Sequence, residues 1–449
     1  MSDAVIARYG EARLPRYTSY PTAPKFADTI GPADYAEWLK GARGGQTSLY
    51  LHIPFCRSMC WYCGCHTTIT ERDQPIVDYL DALTREIDMV SRLTEGDLDV
   101  REIHFGGGTP TIIKPEEFLG LMARLRGSFG VHSRANVSVE IDPRRLTPEM
   151  TQALGEAGVT RASLGVQSFD PRVQKAINRI QSEEETALAT EGLRANGIGS
   201  INFDLIYGLP HQAIRSCEET ARACVAMRPE RLAVFGYAHV PSFKKHQRLI
   251  DEAALPDAAA RHQQAEAIAE TLEAGGYRRI GLDHFALPED DLAKAADAGL
   301  LRRNFQGYTT DSCDALIGFG ASSIGRLAEG YVQNATPPGV YAREVVAGRL
   351  PTAKGYRLTA EDRLRAHVIE RLMCDFAADV ASISASHGFE RDMLLRGNAA
   401  LHSLAEDGIA TIADGVVRVD PSRRFLIRAV AAAFDAYLND LGRTFSKAA

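Results

Sequence analysis

YLHIPFCRSMCWYCGC, residues 50–65, begins as a β-strand and ends as a loop that gathers four of the chain's eight cysteines, at positions 56, 60, 63 and 65. Four thiols on one short polar and aromatic loop cannot all enter the same core. Burial as small hydrophobes therefore suits the scattered Cys217, Cys224, Cys313 and Cys374 but not this group. The CxxxCxxC spacing puts Cys56, Cys60 and Cys63 directly after the strand, where they can converge on one metal centre. Cubane iron–sulfur clusters are held by cysteine thiolates, and three ligands for four irons leave one iron able to take an exogenous ligand, as an open zinc site leaves room for water. A structural zinc would need a fourth ligand from a second CxxC or a histidine pair. His52 and His66 are the only nearby candidates, and lone histidines are usually packed or solvated.

A chain of 449 residues has room for about two to three domains and needs no disulfide framework to hold a core. Hydrophobic content of 45% and charged content of 24% are ordinary for a soluble protein, and no apolar run approaches the ~20 residues that span a bilayer. The N-terminal MSDAVIARYGEARLPRY has no apolar core of the kind that drives secretion, so a reducing, cytoplasmic location is expected. A net charge of −7 without a long lysine or arginine run argues against nucleic-acid binding and leaves room only for a small basic pocket.

From residue 48 to about 240, short β-rich runs alternate with helical periodicity, the sequence form of repeated βα units around a parallel sheet. The strands are SLYLHIPF (48–55), REIHFGG (101–107), NVSVEID (136–142), RASLGVQ (161–167), INFDLIYG (201–208) and RLAVFGYA (231–238). Six such units predict an α/β fold, an incomplete TIM-like (β/α)6 barrel. Helices are expected over 74–93, 115–130, 146–158 and 183–197, with Thr147–Pro148 as a start and Gly158 and Gly197 as stops. Residues 258–275 read as a further helix and 300–330 as a loop-rich return to the core. Beyond 360, a Thr359–Asp362 capping box, helices near 361–376, 390–407 and 421–438, and a hairpin turning at Asp414–Gly415 predict a helical, winged-helix-like unit. Lacking a basic character, it is expected to cover the substrate or brace the fold rather than bind DNA. The division that follows is an N-terminal segment, 1–47, covering the active site, a catalytic barrel with its extension, 48–355, and a C-terminal domain, 356–449.

Polar and glycine residues cluster where these strands end: GGGTP at 106–110, Glu140 with Asp142, Gln167, Asp204, and Ala238 with His239. Ligands bind at the carboxyl ends of strands in parallel βα folds, because loops from separate segments converge there. Any one of these positions can be explained as a turn former, but the whole set is explained less well that way.

The cysteine motif resembles that of the radical S-adenosylmethionine (SAM) enzymes, in which SAM chelates the open iron and is cleaved to a 5′-deoxyadenosyl radical. GGGTP resembles their glycine-rich SAM-contacting segment; glycines let backbone amides approach a ligand closely. Cys65, RYTSYPTA (16–23), FGGGTPT (105–111), VEIDPR (139–144), LGVQSFD (164–170), NFDLIYGLP (202–210), YAHVP (237–241), LDHFALPEDDLA (282–293) and NFQGYTT (304–310) extend the resemblance along nearly the whole chain to the oxygen-independent coproporphyrinogen III oxidases. The resemblance implies a 4Fe-4S cluster on Cys56, Cys60 and Cys63, with Cys65 a non-ligand, and two SAM molecules. It implies Tyr50, Gly107, Glu140 and Ile324 around the first SAM, and Tyr62, Gly108, Thr109, Gln167, Arg179, Asp204 and Ala238 around the second. Tyr62 stands where phenylalanine is frequent and adds a hydroxyl that needs a partner when buried.

The implied reaction is oxidative decarboxylation of two propionates of coproporphyrinogen III to vinyl groups, giving protoporphyrinogen IX. It requires an electron donor for the cluster and an electron acceptor, with no nucleic acid or membrane partner, and the chain is expected to be a monomer. Catalysis is borne by the cofactor radical rather than by an acid/base pair. Arg16, Tyr17, Tyr20, His239, Gln306 and Tyr308 are expected to hold the propionates. The competing readings are a haem chaperone sharing the barrel and cluster, a haem-modifying radical enzyme, and a zinc protein. Chaperone relatives typically lack the last cysteine of CGC and the RYTSYP segment, both present here.

Overall fold

The computed structural model describes Tyr9 and residues 12–438. The other terminal residues, which hold most of the stretch read for a leader and the outer ends of the first and third expected units, lie outside the described residues. Parallel strands form at all six expected places: β1 (Gln46–Ile53), β2 (Asp99–Gly107), β3 (Gly130–Ile141), β4 (Arg161–Gln167), β5 (Ser200–Tyr207) and β6 (Arg231–Gly236). They pair in chain order. Crossovers run through α1 (Gln74–Thr94), α2 (Pro115–Ser128), α3 (Pro148–Glu156), α4 (Glu183–Ala195) and α5 (Ile214–Met227), and α6 (Ala258–Ala274) follows β6. The start signal at Thr147 is a true cap, its hydroxyl accepting the Met150 N–H at 3.2 Å. Gly158 and Gly197 end their helices with φ of 78° and 84°.

Beyond α6 the chain turns antiparallel, with β7 (Arg278–Ile280) and β8 (His284–Ala286) extending the sheet from β6. It then crosses to the opposite edge. There β9 (Ala315–Phe319) pairs parallel with β1, and β10 (Ile324–Arg326), β11 (Gly330–Asn334) and β12 (Thr352–Arg357) continue antiparallel. One twelve-stranded sheet results, ordered β12-β11-β10-β9-β1-β2-β3-β4-β5-β6-β8-β7. The stretch read as a loop-rich return therefore delivers a seventh parallel strand beside the incomplete (β/α)6 barrel.

Period-two alternation decides what each face carries. Leu49, Leu51, Ile53, Ile103, Phe105, Val137, Val139, Leu164 and Phe203 point to the helices, where they bury against Leu83 and Ile87 of α1, Phe118 of α2 and Leu193 of α4. Each such side chain contributes ~1.5–3 kcal/mol on burial. The alternate positions, Tyr50, His52, His104, Ser138, Glu140, Ser163, Asn202 and Asp204, share the other face and give it a polar lining. A register shift between Gly165 and Gln167 bulges β4 and puts Gln167 at φ 67°.

The C-terminal unit holds α7 (Ala360–Asp375), α8 (Val380–Ser386), α9 (Ala399–Glu406), α10 (Ile427–Ala432) and a three-stranded sheet of β13 (Ala377–Asp379), β14 (Ala410–Ala413) and β15 (Val416–Val419). The capping box forms as read: Thr359 Oγ1 accepts the Asp362 N–H at 3.1 Å, and Asp362 accepts the Thr359 N–H at 2.9 Å. The helix expected over 390–407 starts only at Ala399. Gly397 adopts φ 70° and Asn398 Oδ1 caps the Leu401 N–H at 3.1 Å, so no helix can run through them. The one expected over 421–438 opens as a 3-10 turn, Pro421–Leu426, and is α-helical only in α10. The unit has its own apolar core, and that core includes Leu14, Tyr17 and Tyr20 from the other end of the chain. Among the described residues no helix is long and apolar enough to cross a membrane.

One buried carboxyl ties the returning strands to α1. Glu86, fully buried, accepts from the Gly320 N–H at 2.7 Å, Asn334 Nδ2 at 2.6 Å and the Tyr341 hydroxyl at 2.7 Å. Burial outweighs these bonds and pushes it up to about 7. The folded chain therefore keeps a proton that the unfolded chain releases. This group's contribution to stability is full below its ordinary value of 4.5 and is lost as pH rises to about 7. Urea unfolding of the apo protein from pH 4.5 to 7.5 should show wild type losing ~3 kcal/mol relative to Glu86→Gln. A difference that does not change with pH would mean Glu86 ionises normally.

Candidate functional site

The cysteine loop leaves β1 and is pinned from three directions. The Trp61 N–H donates to Ile177 O at 2.9 Å and Asn178 Nδ2 to Met59 O at 2.8 Å. Gln247 Nε2 reaches Tyr62 O at 3.0 Å and Ala238 O at 3.2 Å, His246 meets Cys63 O at 2.7 Å, and Lys244 Nζ donates to Cys65 O at 2.9 Å. Returning chain closes its base through the Thr70 N–H on Cys56 O at 3.0 Å.

Each thiol of the triad has a polar neighbour suited to a thiolate. Cys56 Sγ lies 3.3 Å from Thr109 Oγ1. Buried Cys60 takes Arg179 Nη1 at 3.6 Å and Arg144 Nη2 at 3.7 Å, and Cys63 takes the Cys65 N–H at 3.4 Å. Burial pushes the Cys56 thiol up to about 11, whereas hydrogen bonding from Cys65, with His246 and Lys244 nearby, draws Cys63 down to about 6. Three cysteines on one pinned loop, with donors aimed at sulfur, fit a thiolate-held iron–sulfur cluster; such donors are the usual outer shell of these centres. Cys65 is exposed.

The glycine segment lies across from this loop because β1 and β2 are in register, His52 opposite Gly106 and Ile53 opposite Gly107. A Cβ at Gly108 would sit 2.6 Å from Phe55 O and 3.0 Å from Cys56 Sγ, and one at Gly107, where φ is 122°, would sit 2.8 Å from Ile53 O. The backbone there is as close to the cysteine loop as glycine alone permits. Glu140 Oε2 accepts the Gly107 N–H at 3.0 Å, and its Oε1 meets His104 Nε2 at 3.3 Å. Burial opposes its ionisation, but those two bonds outweigh it and hold the carboxyl below its usual range. Tyr50 stacks on His104, with ring centroids 5.7 Å apart, and shares a 2.9 Å hydrogen bond with His52 Nδ1. Ile324 opens β10 beside Gly318, the register partner of Tyr50.

A second group surrounds Cys60. Arg179 donates to Gly165 O at 2.6 Å and lies 3.4 Å from Asp142, which Arg144 also grips at 2.6 and 2.8 Å. Burial resists the Asp142 charge, yet Arg144 and Arg179 hold the carboxyl low. Arg179 is itself buried, and its Nε has no hydrogen-bond partner among the described residues. It lies past the short helix Pro171–Ala176 rather than on a helix. Asp204 accepts from Ser163 Oγ and Asn202 Nδ2, both at 2.9 Å, and burial pushes it up to about 6. The structure thus brings Tyr62 and Ala238 together through Gln247, and Gln167 beside Arg179 across Gly165, where a Cβ would meet both.

The residues expected to hold carboxylates separate into two sets. The hydroxyls of Tyr17, Tyr20 and Tyr308 are engaged by Asp435 at 3.1 Å, the Ala436 N–H at 3.0 Å and Met373 O at 2.6 Å, so these three brace the C-terminal unit. Arg16 and His239 border a cavity, and Gln306 is exposed. Sequence reasoning missed His104, Ser163 and Asn202, which the period-two phase of Tyr50 and Glu140 could have found. It treated Asp142 only as a strand-end residue and gave no role to Arg144. For Lys244, His246 and Gln247 the sequence carries no signal, since their contacts exist only in three dimensions.

The Radical SAM superfamily model matches residues 50–224. The chain is 55% identical to an oxygen-independent coproporphyrinogen III oxidase of Bradyrhizobium diazoefficiens, covering 98% of each chain. It is 40% identical to that of Pseudomonas aeruginosa, over 98% of this chain and 97% of the other. The solved coproporphyrinogen III oxidase of Escherichia coli, described as a radical SAM enzyme, superposes with a TM-score of 0.92 at 35% identity, covering 98% and 99% of the two chains.

Proposed function

The chain belongs to the oxygen-independent coproporphyrinogen III oxidase family of radical SAM enzymes, and from that membership we propose that it converts two propionates of coproporphyrinogen III to vinyl groups, releasing CO2 and giving protoporphyrinogen IX. The observation that carries the reading is the pinned CxxxCxxC loop, set against a glycine segment too close to it for any side chain. A bound 4Fe-4S cluster and SAM would supply the reductively generated carbon radical that takes hydrogen from the substrate.

In this reading Cys56, Cys60 and Cys63 hold the cluster. Tyr50, Gly107, Glu140 and Ile324 contact one SAM, and Tyr62, Gly108, Thr109, Gln167, Arg179, Asp204 and Ala238 contact a second. The low-lying Glu140 carboxylate suits a cationic partner, and the unpartnered Nε of Arg179 suits a carboxylate. Asp204, anchored by Ser163 and Asn202, can accept from ribose hydroxyls. The protein's work is to fix these groups and exclude water. An electron donor and an electron acceptor complete the cycle, and a monomer suffices for it.

Anaerobic incubation of the reconstituted enzyme with coproporphyrinogen III, SAM and a reductant tests the reading by mass analysis. Protoporphyrinogen with matching 5′-deoxyadenosine is expected. Porphyrin binding without loss of mass would replace the oxidase by a carrier, and a linear tetrapyrrole made from haem would replace it by a ring-opening enzyme.

A further inference from the structure

The outer edge of β6 carries a second site of different character. β8 pairs with β6 only over Arg231–Ala233, and the Val234 N–H on Asp283 O at 2.7 Å is the last contact before the edge opens. Residues 234–240 then border a cavity of about 250 Å³. Among the described residues its walls hold seven arginines against two carboxylates, Glu266 and Asp283. The arginines converge from three separated stretches, 13–16, 261–303 and 424–428. Arg16 donates to the edge carbonyl of Gly236 at 3.2 Å, Arg261 to Tyr237 O at 3.0 Å, Arg424 to Gly281 O at 3.2 Å and Arg428 to Pro15 O at 2.9 Å. Backbone oxygens thus fix where these guanidinium groups stand.

Two further features mark the cavity as built for an anion. Arg303, with its side chain only 3% exposed, stands 3.8 Å from Asp283, and its Nη1 is buried without a hydrogen-bond partner among the described residues. Burial, with Arg16 close by, also pushes Arg428 down to about 10. Arg279 already meets Glu266 and Glu273, and Arg303 faces Asp283, yet an anion entering among seven guanidinium groups still meets a strongly positive field.

Size selects among anions. Pockets that enclose a whole drug-sized ligand run to roughly 300–1,000 Å³, so this cavity takes side chains and not a macrocycle. It also borders Ala238, whose carbonyl shares Gln247 with the cysteine loop. We propose, resting on the function above, that carboxylates of the substrate's propionate side chains dock in this arginine cavity, with Arg303 the buried guanidinium that receives one of them. The bidentate fork of arginine matches a carboxylate in charge and geometry.

The test is titration of the cluster- and SAM-loaded enzyme with coproporphyrin III, the stable tetracarboxylate, and with its tetramethyl ester. Arg303→Gln should raise the Kd for the acid about ten- to hundredfold, the span of one charge-assisted hydrogen bond. Arg303→Lys should recover part of the loss, and the ester should not distinguish the variants. Arg16→Gln, at an exposed position, should weaken the acid severalfold while giving up only one exposed hydrogen bond, that to Gly236 O. The change that SAM makes in the cluster's EPR signal should be the same in all of them. Wild-type affinity for the acid in both Arg303→Gln and Arg16→Gln, with the wild type itself binding and turning over, overturns the cavity proposal alone. A wild type that neither binds the acid nor decarboxylates coproporphyrinogen III overturns the functional reading and this inference with it.

Discussion

A Cys60→Ser chain is expected to leave anaerobic reconstitution without the absorbance or EPR signal of a cluster, and to form product at least about a thousandfold more slowly than wild type. Serine oxygen is neither soft nor readily deprotonated, so it does not replace a thiolate on iron. The position makes the loss larger. Cys60 is 8% exposed and lies beneath Arg144 and Arg179, two guanidinium groups that otherwise share the single carboxylate of Asp142. Without the thiolate, that buried group carries an extra positive charge. Cys65→Ser is the comparison, because Cys65 is exposed and stands outside the proposed triad. Iron and sulfide counts on both proteins decide the matter: a full cluster in Cys60→Ser, or its loss in Cys65→Ser instead, would reassign the ligands.

Gly108→Ala should be nearly as damaging through a single methyl group. Its Cβ would lie 2.6 Å from Phe55 O and 3.0 Å from Cys56 Sγ, and the first of these is backbone that cannot swing aside. The Gly108 N–H on Ile53 O and the Thr109 N–H on Phe55 O, both at 2.9 Å, fasten the two segments there. The methyl must therefore pry the loop away at its first cysteine. Overpacking of this kind costs about 1–3 kcal/mol in stability. The functional loss should exceed that, about a hundredfold or more in product formation, because the displaced atoms belong to the site. Gly120→Ala is the control. It lies within α2 with open space around its Cβ, and the change there should stabilise by about 0.5–1 kcal/mol. Equal cluster content and turnover in the two variants would show that the close approach is unimportant.

The barrel was legible because its signals are local. RASLGVQ is β4 to the residue, and the other five strands differ from expectation mainly at their ends. β9 was not legible. Ala315–Phe319 is a five-residue run between turn residues, and what makes it a strand is β1, far away in sequence. The helix misread over 390–396 shows the limit of periodicity: one glycine in the left-handed region and one asparagine cap outweigh an apolar repeat. At the site, residues adjacent in sequence were visible as motifs. Those that act by reaching across, Arg144 onto Cys60 and Lys244 onto Cys65 O, were not, since no spacing rule connects them. The bracing contacts of Tyr17 and Tyr20 were hidden for a related reason. A phenol near the start of a chain looks available until the opposite terminus is seen packed on it.

That packing bears on how the molecule is made. Leu14, Tyr17 and Tyr20 are synthesised before the sheet, yet the core they enter is supplied by residues 364–434, which are synthesised after it. Every strand of the sheet, Gln46 to Arg357, is synthesised before that partner. Arg16 on one side and Arg424 and Arg428 on the other meet at the β6 edge only where the two distant parts of the chain are packed together. A translation product cut short near residue 360 would keep the cysteine loop and Arg303 but lack Arg424 and Arg428 from the cavity wall.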